Sequence, residues 1–120
     1  MTEPITPERG ACFDLAAIAR DMRESDAYRH TGHTARTIVR EPDLRIVLVV
    51  MRGGSVIKEH KADDTTSVQA LVGRMRLRLP ERVAALSAGA LLVLERGLPH
   101  TVEADEDSTF LLTLGGRPAR

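Results

Sequence analysis

The chain reads as an all-β domain, a sandwich or barrel of short strands with one short helix in front, and three observations carry that reading. From about residue 35 onward, short apolar runs follow one another at regular spacing. Turn signals separate them: Gly53-Gly54, Gly73, Pro80, Glu95-Arg96-Gly97 and Asp105-Glu106-Asp107. A 3.6-residue apolar period is convincing in only one segment, close to the N-terminus. With 120 residues, 42% apolar and 28% charged, the chain is long enough for one domain to bury a core without disulfides or a structural metal.

Residues 1–12 carry Pro4, Pro7 and Gly10 among polar neighbours and read as a flexible arm. Residues 13–34 hold the helix and a connecting turn. Asp14 is placed to cap the helix, and Leu15, Ile18, Ala19 and Met22 follow the i, i+3, i+4, i+7 rule of one buried face. His30 and His33 flank Thr31-Gly32 in the turn and are expected to face solvent. The barrel spans 35–116. Within it Leu44 to Met51 is a nearly continuous aliphatic run, the composition of a strand buried on both faces. Ser55 to His60 and Ser67 to Val72 are two further strands around the polar loop 61–65.

Arg74 to Leu79 alternates arginine with an apolar residue, which makes one strand face cationic and the other aliphatic. Its arginines, Arg74, Arg76 and Arg78, are expected to be solvated and to protect a sheet edge. Pro80 returns the chain into Val83 to Leu86 as a hairpin. Strands at Ala90 to Leu94, Pro99 to Ala104 and Ser108 to Leu114 complete seven or eight. Leu91, Leu92, Leu94, Leu111, Leu112 and Leu114 read as core or subunit interface.

Seventeen basic residues balance seventeen acidic ones, so no long-range field gathers nucleic acid or an anionic membrane. Aromatics number only three, Phe13, Tyr28 and Phe110, too few to stack single-stranded bases. The one cysteine, Cys12, has no partner for an intrachain disulfide and no neighbouring base to activate it. Together with a polar, acidic start and no long apolar stretch, this points to a cytoplasmic protein that engages neither nucleic acid nor membrane.

Two spacings are specific. Gly54, five residues, His60, one residue, Ala62, three residues, Thr66, six residues and Gly73 form the first; Gly89, five residues, Glu95, one residue, Gly97, two residues, His100, three residues and Ala104 form the second. In this order they reproduce the two motifs of the cupin family, and the chain resembles a small single-domain cupin over roughly residues 35 to 115.

The resemblance implies a double-stranded β-helix, a jelly-roll barrel whose interior collects ligands from both motifs. In metal-dependent cupins the first motif supplies two histidines and a glutamate and the second supplies another histidine. Here His60 and His100 keep the first and last of these positions, while Ala62 and Thr66 occupy the other two. Two imidazoles fall short of the three protein ligands a resident divalent ion ordinarily has. The nearest acids in sequence, Glu59, Asp63 and Asp64, are poorly placed to replace the lost carboxylate, Glu59 because neighbouring strand residues point to opposite faces.

The expectation is a cupin-fold protein, a homodimer as many small cupins are, that holds a small molecule in the barrel. His60, His100 and Thr66 are its ligand-binding residues. His60 and His100 are also candidates for weak binding of a divalent metal, and no other cofactor is assigned. One alternative is a metal-dependent oxygenase, isomerase or decarboxylase with a two-histidine site. Another is a structural or protein-binding barrel with a filled interior, which a cavity of roughly 300 Å³ or more lined by both histidines would exclude. Val68 and Ala70 share Thr66's parity and are expected to wall the interior, with no ring in either motif to stack on a ligand.

Overall fold

The structure, a computed structural model, describes residues 10–115. Most of the predicted arm lies outside the described residues. The Asp14 carboxylate accepts a hydrogen bond from the backbone N–H of Ala17 at 3.0 Å and starts α1 (Leu15–Arg23), whose Ala19 and Met22 are buried.

A second helix follows where the sequence reading placed only a turn. Ser25 Oγ accepts from the Tyr28 N–H at 3.2 Å and opens α2 (Asp26–Thr31). Gly32 closes it in the left-handed region, at φ 83°, donating its N–H to the Tyr28 carbonyl. A serine three residues before the first buried ring, with glycine at the far end, is a complete pair of helix signals. Six residues are too few to show a period.

Among the described residues nine strands follow: β1 (His33–Glu41), β2 (Leu44–Met51), β3 (Val56–His60), β4 (Thr66–Val72), β5 (Arg74–Arg78), β6 (Val83–Ser87), β7 (Leu91–Leu94), β8 (His100–Ala104) and β9 (Ser108–Gly115). They form two antiparallel sheets, one in the order β1-β2-β9-β4-β7 and the other β3-β8-β5-β6. This is the all-β jelly-roll arrangement expected from the motif spacings.

The sheets face each other over one core, in which Val49, Met51, Val68, Ala70, Met75, Leu77, Val102 and Phe110 are buried. A second core lies outside the larger sheet, where Ala19, Met22 and Tyr28 of the helices cover Ile38, Val39, Leu48 and Val50. The aliphatic run of β2 serves both: Val49 and Met51 turn inward, Leu48 and Val50 turn to the helices. Among the described residues no helix is long and apolar enough to cross a membrane.

The arginine strand departs from expectation. β5 pairs with β6 on one side and β8 on the other, so it has no edge to protect. Its outward guanidinium groups meet acids on and just after β8 instead: Arg76 lies 2.8 Å from Asp105 and 3.4 Å from Glu103, and Arg78 Nε donates to Glu103 at 2.6 Å. Glu103 is held below the ordinary carboxylate range, chiefly by the Arg78 hydrogen bond.

Candidate functional site in the barrel lumen

His60 ends β3, and His100 begins β8 as its direct cross-strand partner. Two positions far apart in sequence are thereby brought to a ring-centroid separation of 4.3 Å, in an edge-to-face arrangement with an interplanar angle of 61°. Alternation along β8 points His100, Val102 and Ala104 inward, all buried. His60 reaches the same lumen by an irregularity. Ile57 and His60 are three residues apart and strict alternation would oppose them, but the register with β8 shifts between the two and both line the lumen.

The lumen holds a cavity of about 200 Å³. Its polar lining is His33, Thr34, His60 and His100, and its walls include Ile57, Val68, Leu77, Val102 and Phe110. The volume falls short of the roughly 300 Å³ that would exclude a structural or protein-binding barrel. It exceeds the ~150 Å³ of an apolar cavity that admits benzene. His60 also lines a hollow at the surface, with Glu59, Lys61, Gly97 and Pro99. It stands between the lumen and solvent, exposed, whereas His100 is only 6% exposed.

Of the residues singled out from sequence, His60 and His100 come together and Val68 lines the cavity with them. Thr66 is buried at 4% exposure, but its hydroxyl donates to the Asp64 carbonyl at 3.0 Å and it is not among the cavity's lining residues. Much of the rest of the lining has no motif to announce it, and His33 and Phe110 matter most to its chemistry. His33, expected to face solvent, opens β1 half-buried on the lumen, while His30, on α2, is exposed. Phe110 supplies from β9 the ring that both motifs lack. Only the pairing of β9 with β2 and β4, which sets Phe110 opposite Val49 and Ala70, places it there.

Both central histidines are held in the same way. His60 Nδ1 lies 3.0 Å from the Lys58 carbonyl oxygen and His100 Nδ1 lies 2.9 Å from that of Leu98. A carbonyl oxygen only accepts, so each Nδ1 carries the proton and donates it, leaving Nε2 with a lone pair in the neutral ring. Burial lowers the His100 pKa; the Leu98 hydrogen bond acts in the opposite direction and the charge of His60 adds a smaller lowering. At neutral pH His100 therefore presents an acceptor.

A resident divalent ion needs more than this. Among the described residues no group of three or more His, Cys, Asp or Glu side chains is arranged to hold a metal. Ala62 coordinates nothing, and the Thr66 hydroxyl is engaged by Asp64. The residues present do not fit the three-ligand site of a metal-dependent cupin.

No family model and no curated protein matches the chain. Solved structures do. The chain is similar to a conserved protein of unknown function from Streptococcus pyogenes, with a TM-score of 0.71 and 21% identity over 99% of this chain and 98% of the other. It is similar to a cupin superfamily protein from Desulfitobacterium hafniense, with a TM-score of 0.67 and 13% identity over 71% and 78% of the two chains. Against salicylate 1,2-dioxygenase from Pseudoaminobacter salicylatoxidans the TM-score is 0.77, with 16% identity over 86% of this chain and 32% of that longer one. The chain has the cupin fold, a small jelly-roll barrel of two antiparallel sheets.

Proposed function

We propose that this chain binds a small, largely apolar molecule bearing a hydrogen-bond donor, such as a phenol or an alcohol, in the lumen between His60 and His100, with at most weak metal binding. The observation that supports it is the 200 Å³ cavity lined by that imidazole pair and by apolar walls. Because both Nδ1–H groups are committed to backbone carbonyls, the pair offers acceptors and rewards a ligand that donates. A carboxylate brings no proton and pays desolvation without recompense beside neutral His100. A single ring matches the volume.

The enzyme reading, a two-histidine metal-dependent oxygenase, isomerase or decarboxylase, has the two open Nε2 atoms in its favour and the donor count against it. A homodimer in the cytoplasm completes the proposal, and Leu91 and Val93 of edge strand β7, 62% and 60% exposed, are the apolar surface it would cover.

The test is an NMR titration with phenol and with benzoate at pH 7.5, alongside elemental analysis of the purified protein. Phenol should shift the imidazole signals of His100 and bind about tenfold more tightly than benzoate, with the response lost in His100→Ala. No response at about 10 mM phenol, or a stoichiometric transition metal that disappears in His60→Ala, overturns the proposal.

A further inference from the structure

We infer that the cleft between α1 and the adjoining ends of β4 and β9 is a second binding site, for a small anionic amphiphile: a carboxylate on a short aliphatic body. The inference does not rest on the lumen. The cleft encloses about 440 Å³, more than twice the lumen's 200 Å³, and lies on the opposite face of the larger sheet. It exists because α1 presents small side chains there. Ala16 and Ala19 line it opposite Leu71 and Val72, and with Leu15 these residues make an apolar floor. Val72 is 53% exposed, a β-branched residue left in water at the cleft's margin.

The charged residues give the cleft its sign. Ala16, Arg20 and Arg23 follow one another at i, i+4 and i+7, so both guanidinium groups stand along the helix face that lines the cleft. Arg23 Nη2 donates to Thr109 Oγ1 at 2.5 Å, which holds that guanidinium against β9. Arg20 has no ion pair and no side-chain hydrogen bond among the described residues. The acid in the lining, Asp107, already accepts the Gly53 N–H at 2.8 Å through Oδ1. Two cations, one of them unengaged, overlook an apolar floor beside one acid that is already bonded. The complement of that surface is an aliphatic chain on Leu15, Leu71 and Val72 with its carboxylate on Arg20 and Arg23. The volume suits a free acid of medium chain length rather than a membrane lipid.

Titration of the full chain with octanoate, and separately with 1-octanol, followed through backbone amide signals, tests this. Octanoate should move the amides of Ala16, Leu71 and Val72 and leave the imidazole signals of His60 and His100 in place. Arg20→Gln, at an exposed position that the fold does not need, should weaken octanoate about fivefold, as expected for one exposed ion pair, and leave octanol unchanged. Ala16→Leu, a helix-compatible change, should fill the cleft and weaken both. No response of the cleft amides at about 10 mM octanoate, a response confined to His60 and His100, or an equal loss of octanoate and octanol in Arg20→Gln overturns the inference.

Discussion

Leu77→Ala measures how tightly the lumen is bounded. Leu77 is fully buried on β5, between Ala84 of β6 and Val102 of β8, and it forms part of the cavity wall. Truncation removes three carbons from an apolar site, a transfer loss of about 2.4 kcal/mol at ~0.8 kcal/mol each. With a further term for the space left behind, the total should be about 3 kcal/mol, within the ~2–5 kcal/mol range for such truncations. At roughly 4 °C per kcal/mol for a chain of this size, the melting temperature falls by about 12 °C. Urea denaturation followed by circular dichroism reads the stability. The same change enlarges the 200 Å³ cavity beside Val102, so 2-naphthol, one ring larger than phenol, should gain on the order of tenfold relative to phenol. A stability loss below about 1 kcal/mol, or an unchanged ratio of 2-naphthol to phenol affinity, would show that Leu77 does not bound the site.

Two further predictions concern the corner after β4 and the buried histidine. Gly73 turns the chain from one sheet to the other at φ +83°, and a Cβ there would collide with the Asp107 carbonyl and lie 2.5 Å from Ser108 Oγ; Gly89 has a similar φ of +95° but open space around it. Gly73→Ala should thus cost more than about 3 kcal/mol, against about 1 kcal/mol for Gly89→Ala, and urea midpoints of the two variants compare them directly. His100 has a folded-state pKa below its unfolded value of 6.5. As pH falls below 6.5 the unfolded chain takes up a proton that the folded chain does not, so stability present above that pH is lost as pH falls toward the folded pKa. Denaturation midpoints measured between about pH 8 and pH 5 should decline for the parent chain and decline less for His100→Gln.

What was legible in the sequence was what local chemistry and short spacings encode. The run Leu44 to Met51 announced a strand buried on both faces because every position after Arg45 is apolar, and both cores use it. The convergence of His60 and His100 was legible only through the family resemblance that their spacings carry, and the long-range pairing of β3 with β8 brings it about. What escaped depends on partners distant in the chain. His33 has no motif around it, and its place on the lumen comes from the pairing of edge strand β1 with β2, which sets it opposite Met51. Phe110 lies beyond both motifs and is carried inward by the register of β9. Parity placed Thr66 inside correctly, but burial is not access: its hydroxyl turned to the Asp64 carbonyl, an i to i−2 bond that no alternation rule reveals. Nor does alternation reveal the register shift that brings His60 onto the face of Ile57.

The two positions that depart from the metal-binding pattern act on the lumen in the same direction. Alanine at 62 takes away a nitrogen, and threonine at 66 takes away the carboxylate and directs its own hydroxyl elsewhere. What remains is a pair of imidazoles whose donors are already committed to the Lys58 and Leu98 carbonyls. With His100 neutral, a charge-neutral ligand that donates a proton is the species that leaves fewest groups unsatisfied there. The α1 cleft has the reverse chemistry, guanidinium donors over an apolar floor. On these two proposals the domain discriminates small apolar molecules by their polar end: the barrel favours a neutral donor, and the cleft under the helix holds an anion more tightly than the corresponding alcohol. The separation is a matter of hydrogen-bond bookkeeping, and it should therefore survive changes in the ligand's apolar body so long as each volume is respected.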